Sequence, residues 1–282
     1  MGKFDGVLIV SDYDNTISYT EGALRSGKDL PPVSPANRRA IEYFMSQGGI
    51  FSVATGRALP AFAPIAPAIP MNGPTILFNG AAIYDFAEKR YLHTAFLPET
   101  VRPHLALLLE RFSGLAMELY HDDNAIHAVN ANEVTHAHLH LTHAPTAEMT
   151  SLDQVPSPIS KALLECEEPL LSELLDYLGQ ADWAAAYEIV PSATCLVELT
   201  AHGANKGGMV EKLVSLLGVE RENVYCVGDH ANDIPMLRFA RIPFAPDNAI
   251  EAVHRVEGVH ILPHCENDAI AAMVAELDKL YG

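Results

Sequence analysis

Apolar residues come in two rhythms along this chain. Short apolar runs at Val7 to Val10, Ile50 to Ala54 and Thr75 to Phe78 read as strands, the first as a central parallel strand covered on both faces. Between them lie helical stretches. Ser34-Pro35 supplies an N-cap and a first-turn proline for a helix through Phe44, Gly48-Gly49 closes it, and a proline-interrupted helical stretch starts at Ala58. Asn79-Gly80 after the third strand is a turn dipeptide. Strand, helix, strand, helix is the pattern of a doubly wound parallel α/β domain.

The alternation resumes with a helix Lys206 to Leu217, a strand Val224 to Val227, a helix Ile234 to Phe239, a strand Ile242 to Ala245 and a last helix from Asp268. The stretch between is different. It predicts helices Pro98 to Phe112 and Pro169 to Leu178, and strands near Leu115 to Leu119, Ala125 to Val129, Ile159 to Leu164, Ala185 to Val190 and Cys195 to Leu199. That mixture predicts an α+β domain inserted at 86–198 into a core made of 1–85 and 199–282. A length of 282 residues suits two modest domains.

Composition narrows the partners. A net charge of -18 argues against nucleic acid and anionic membrane, which are gripped by clustered Lys and Arg. No apolar run is long enough to span a bilayer, so a cytoplasmic location is expected. Cys166, Cys195, Cys226 and Cys265 lie too far apart to suggest a disulfide framework or a cysteine zinc site.

The candidate chemistry sits at strand ends. Asp12 and Asp14 follow the first strand two residues apart, so both can face the crevice beyond its carboxyl end. Asp229 and Asp233, in Gly228-Asp229-His230-Ala231-Asn232-Asp233, follow the strand Val224 to Val227 in the same manner. Acidic pairs brought together repel and call for a cation, and hard oxygen donors suit magnesium. Asp12 is the candidate nucleophile, Asp14 the acid/base, and Asp229 a metal ligand with Asp233 and Asn232 in support. Lys206, beginning a helix after Asn205, can neutralise charge at an attacked phosphate. Thr55, Gly56 and Arg57 offer a hydroxyl, backbone N–H groups and a cation to phosphate oxygens.

Taken in order, Asp-x-Asp-x-Thr, Thr-Gly-Arg, Asn-Lys-Gly and Gly-Asp-x-x-Asn-Asp resemble the haloacid dehalogenase (HAD) superfamily, in its Cof-like branch with a large inserted cap (subclass IIB). Phe78-Asn79-Gly80-Ala81 and Asp247-Asn248-Ala249 resemble family segments too, so Asn79 joins the candidate phosphate-binding residues. The resemblance implies a Rossmann-like core, magnesium, and hydrolysis of a small phosphorylated metabolite. It also implies Asp12 as nucleophile, Asp14 as acid/base and backbone metal ligand, Thr55 as phosphate binder, Lys206 as charge stabiliser and Asp229 as metal ligand. The chain departs from the family pattern at Asn15, His230, Arg241 and Asp247, and in a long Thr16 to Ser34 segment carrying Arg25 and Lys28.

Three functions compete. A phosphomutase must hold a second phosphate, yet only Arg111 and Lys161 are basic between Pro103 and Asn205. A phosphatase of a sugar or polyol phosphate is therefore favoured over a mutase. Nucleotide and cofactor phosphates stay open as substrates, and a non-catalytic binding protein ranks last. His136, His138, His140 and His143 read as a solvated loop in preference to a metal site, and Trp183 with Tyr187 as packing of the inserted domain.

Overall fold

The structure, a computed structural model, describes residues 2–26, 30–121, 125–141 and 147–282. The chain opens with β1 (Leu8–Ser11), α1 (Glu21–Ser26), α2 (Pro35–Ser46), β2 (Ile50–Val53), α3 (Leu59–Phe62), β3 (Thr75–Leu77), β4 (Ala82–Asp85) and β5 (Arg90–Thr94). There follow α4 (Val101–Arg111), β6 (Ala116–His121), β7 (Ile126–Val129), α5 (Glu133–Leu141), β8 (Glu148–Thr150), β9 (Ile159–Glu165), α6 (Leu170–Leu178), β10 (Tyr187–Ala193) and β11 (Leu196–Ala201). The last part holds α7 (Lys206–Leu217), β12 (Val224–Val227), α8 (Ile234–Phe239), β13 (Ile242–Pro246), α9 (Glu251–His254), β14 (His260–Leu262) and α10 (Ala269–Leu280).

Two compact units result. The first comprises Met1–Gly56, Ala63–Leu92 and Lys206–Gly282, and the second comprises Arg57–Phe62 and His93–Asn205. The insert thus begins and ends several residues later than the 86–198 read from sequence. At its end the reason is pairing: β11 runs on to Ala201 and is hydrogen-bonded along β10, so residues after Glu198 stay with the insert.

The first unit is built on a five-stranded parallel sheet in the order β14-β13-β12-β1-β2. Leu8, Ile9 and Val10 are buried on both faces, as an unbroken apolar run requires. Helix α2 starts where Ser34 Oγ accepts from Asn37 N at 3.1 Å with Pro35 in the first turn. It buries Asn37, Ile41 and Phe44, one face of a helix. Asn37 Oδ1 also accepts from Ala271 N at 3.0 Å, tying α2 to α10. One strand departs from expectation. β3 is not a member of the parallel sheet; it meets β2 at an isolated bridge between Ala54 and Ile76 and pairs antiparallel with β4. Asn79 at φ 55° and Gly80 at φ 110° reverse the chain there, which a crossover helix would otherwise have to do.

The second unit is a six-stranded sheet, β10-β11-β9-β6-β7-β8, antiparallel except between β7 and β8. Helices α4 and α6 present Val101, Leu105, Leu108, Leu171, Leu174 and Leu178 at helical spacing to a core shared with Met117, Leu119, Leu164 and Val197. Trp183 packs against that core and stacks on His104 at 4.4 Å. The histidine segment corrects the sequence reading. His136, His138 and His140 lie on helix α5 and not in a loop, while His143 falls outside the described residues. Among the described residues no helix is long and apolar enough to cross a membrane.

Candidate active site

Parallel pairing brings the predicted residues to one edge. Ser11 is in register with Val227 on one side and Val53 on the other, so the chain leaves β12, β1 and β2 at the same level, carrying Asp229, Asp12 and Thr55. That edge is the carboxyl end of the sheet, where α/β proteins bind ligands. Asp12 N donates to Val227 O at 2.9 Å, carrying the pairing past the strand end and fixing the Asp12 backbone.

At the centre lies a buried charge cluster. Lys206 Nζ is 2.6 Å from Asp12 Oδ1 and 2.6 Å from Asp233 Oδ1. Asp233 Oδ2 in turn accepts from the backbone N–H groups of Asp229 at 2.9 Å and His230 at 3.0 Å. Asp233 is therefore the post on which the lysine and the turn after β12 are both hung. Gly228 permits this closeness, because a Cβ there would stand 2.4 Å from the Asp233 carboxylate carbon. Thr16 Oγ1 donates to Asp229 Oδ1 at 3.3 Å, and Asn232 Nδ2 donates to Asn79 Oδ1 at 2.8 Å.

Carboxylate oxygens of Asp12, Asp229 and Asp233 lie within 4.8 Å of one another, all buried. Burial pushes Asp12 up to about 7 against the pull of Lys206, with Asp233 and Asp14 adding to the rise. Asp229 is pushed up to about 9 by burial and by its neighbours Asp12 and Asp233. For Lys206 burial acts downward, but Asp12 and Asp233 overcome it and hold the ammonium above its ordinary value. One lysine among three carboxylates leaves an excess of negative charge, and an all-oxygen donor set of this kind fits a hard divalent cation.

Asp14 stands beside this cluster, half-buried, with Thr20 Oγ1 donating to its Oδ1 at 2.7 Å. Thr20 was not picked out from the sequence, where its segment stands out only by its length and by Arg25 and Lys28. Asn248 was likewise missed as a support: its Nδ2 donates to Asn15 O at 2.8 Å and its Oδ1 accepts from Cys265 N at 2.9 Å. The family-like Asp247-Asn248-Ala249 segment was the available signal. Asn15 explains its own departure from the glycine common at that place, for it adopts φ 56° and its Oδ1 accepts from Thr20 N and Glu21 N. Gly56 packs on the Asn79 side chain, while Arg57 groups with the second unit and not with Thr55 and Gly56. The side chain of Arg25 and residue Lys28 lie outside the described residues.

Comparison with known proteins agrees with this architecture. The family model described as haloacid dehalogenase-like hydrolase matches residues 9–274. The chain belongs to that family. Within the haloacid dehalogenase-like hydrolases it is 24% identical over 293 residues to the 5-amino-6-(5-phospho-D-ribitylamino)uracil phosphatase YitU of Bacillus subtilis, covering 97% of this chain and 98% of that one. It is 26% identical over 257 residues to the pyridoxal phosphate phosphatase YbhA of Escherichia coli, covering 87% and 89%. A haloacid dehalogenase-like hydrolase from Bacteroides thetaiotaomicron superposes with a TM-score of 0.79 at 23% identity, over 96% of this chain and 99% of that one. A HAD subclass IIB sugar phosphatase does so with a TM-score of 0.78 at 19% identity, over 96% and 99%. The expected resemblance to the subclass IIB hydrolases and their α/β fold with an α+β insert therefore holds, and the chain is a phosphoric monoester hydrolase.

Proposed function

We propose that this hydrolase is a magnesium-dependent phosphatase that cleaves a sugar or polyol monophosphate through an aspartyl phosphate on Asp12. The observation that carries the reading is the bridging of Asp12 and Asp233 by buried Lys206, 2.6 Å from each, at the carboxyl end of a parallel sheet. Lys206 holds Asp12 Oδ1 and so fixes the direction of the other carboxylate oxygen. An Asp12 oxygen attacks phosphorus and the ester P–O bond breaks, Asp14 giving its proton to the departing alkoxide. Asp14 then takes a proton from water, the water oxygen attacks phosphorus, and inorganic phosphate leaves with Asp12 restored. Thr55, Gly56, Arg57, Asn79 and Asn232 are proposed to bind the phosphoryl oxygens.

Asp12 and Asp229, with the Asp14 carbonyl and Asp233 in support, are the groups that would hold magnesium, which supplies charge neutralisation when phosphate comes among carboxylates. Both oxygens of Asp233 already serve Lys206 and the turn, so its part is chiefly to position.

The insert supports a phosphatase over a mutase. Arg111 lies over the Tyr177 ring at 4.7 Å, and Lys161 is 2.6 Å from Glu198 Oε2. Arg102 donates to Leu152 O at 2.8 Å and to Ser157 Oγ at 3.0 Å, so all three Arg and Lys residues of 93–205 are engaged within the insert. The relative YitU acts on a phosphate carried by a ribityl chain, a polyol, in keeping with a neutral leaving group. A cofactor phosphate is the second reading, favoured by the relative named a pyridoxal phosphate phosphatase.

The test is phosphate release from sugar, polyol, nucleotide and cofactor monophosphates with magnesium, beside Asp12→Asn. Release confined to the wild type, and fastest with a polyol or sugar phosphate, is the expected result. Release by the variant at the wild-type rate would remove Asp12 as nucleophile, and a best substrate among cofactor phosphates would replace the leaving-group assignment.

A further inference from the structure

The sheet of the second unit has an unusual face. One side carries Met117, Leu119, Ala162, Leu164, Val197 and Leu199 into the apolar core. The alternate positions on the same strands put Glu118, Tyr120, Lys161, Glu165 and Glu198 on the other side, all of them buried. In register Glu118 and Glu198 flank Leu163, Ala116 faces Glu165, and Tyr120 faces Lys161. Three carboxylates thus share a buried face with one ammonium, which is committed to Glu198 at 2.6 Å.

His138 reaches this face from α5. Its Nδ1 is 2.9 Å from Glu118 Oε1 and 3.6 Å from Glu165 Oε1. Glu118 Oε2 accepts from Tyr120 OH at 2.7 Å. Glu165 is different: fully buried, neither of its oxygens meets a hydrogen bond of normal geometry. An ionised carboxylate so weakly partnered in the interior is costly, so Glu165 calls for a proton or a cation. A proton answers only one of the uncompensated charges. With all three glutamates ionised, His138 neutral and Lys161 the single ammonium on this face among the described residues, two negative charges stay unbalanced, the charge of a divalent ion.

We propose that Glu118, His138 and Glu165, whose ligand atoms lie within 4.8 Å of one another, form a divalent-cation site in the second unit that takes a first-row transition ion such as Zn(II) or Mn(II) and ties α5 to β6 and β9. The imidazole nitrogen is what separates this site from the all-oxygen set around Asp12, since nitrogen donors favour transition ions over magnesium. On binding at Nδ1 the imidazole proton resides on Nε2 and the Glu118 oxygen turns from the ring to the ion.

The experiment uses the full chain, stripped with chelator and dialysed against Zn(II) alone, with bound metal counted and melting followed. Wild type, Glu165→Gln, His138→Ala and Asp229→Asn are compared. Asp229→Asn removes zinc held by the core carboxylates, so an equivalent retained there belongs to the second unit. The expected result is one equivalent and a zinc-dependent rise in Tm in Asp229→Asn, both lost in Glu165→Gln and His138→Ala relative to wild type. In chelator Glu165→Gln should melt no lower than wild type, because it removes the uncompensated charge. Failure of wild type to take up zinc beyond the core site, or equal uptake and equal rise in Tm in both insert variants, overturns the proposal and leaves a carboxyl pair sharing a proton. Should Glu165→Gln not fold, His138→Ala, at a partly exposed helix position, carries the test.

Discussion

Lys206 is the side chain at which stability and the proposed chemistry meet most directly. Its ammonium, within 2.6 Å of two buried carboxylates, cannot be removed without stranding Asp12 and Asp233 in the interior. Lys206→Met is expected to cost about 3–5 kcal/mol in urea unfolding, the usual penalty for breaking one side of a buried ion pair. It should also abolish turnover even where the variant is fully folded, which circular dichroism beside a phosphate-release assay will separate. Thr20 makes a smaller and more selective contribution. Its hydroxyl donates to Asp14 Oδ1 at 2.7 Å and so fixes the direction in which that carboxylate points. Thr20→Val should lower kcat about tenfold or less through misplacement of Asp14 while leaving KM nearly unchanged. A KM change alone would count against that role.

Among the elements, α7 matters most, because it delivers Lys206. Gly207 follows the lysine directly, and a Cβ there would lie 2.6 Å from the Pro235 carbonyl carbon of α8. Gly207→Ala must therefore push α7 away from α8 and move the ammonium. The expected outcome is a loss of about tenfold or more in kcat, the scale at which misplacements near 1 Å are felt, with a lower urea midpoint. Unchanged kinetics would show that α8 yields instead. The elements also explain which local signals were readable. The α2 cap at Ser34-Pro35 and the buried run of β1 were legible because their causes are local: a hydroxyl beside free N–H groups and an apolar strand. Helix α5 was not. The histidine-rich segment read as a solvated loop, but the helix was decided by tertiary packing, including contact of His138 with glutamates on β6 and β9.

On the scale of the molecule, the acidic cluster couples folding to pH and metal. Asp12 and Asp229 rise from 3.8 to about 7 and about 9 in the folded protein. A carboxyl group whose folded value is raised contributes stability that is complete below its unfolded value and is lost as pH climbs through the folded one. Metal-free protein should therefore lose stability between about pH 4 and 9, and magnesium should restore more Tm at the alkaline end of that window than at the acid end. Thermal melts with chelator and with magnesium at both ends check this, and a magnesium effect independent of pH would contradict it. The sequence by itself determined the core alternation and singled out Asp12, Asp14, Thr55, Lys206 and Asp229 as candidates, because apolar periodicity and strand-end placement are written locally. Tertiary structure alone decided that Asp233 anchors Lys206, that Thr20 and Asn248 brace the loop after Asp14, and that Glu118, His138 and Glu165 meet. Apart from Thr20, which is six residues from Asp14, those contacts join residues far apart in the chain, and only strand register and helix packing bring them within a few ångströms.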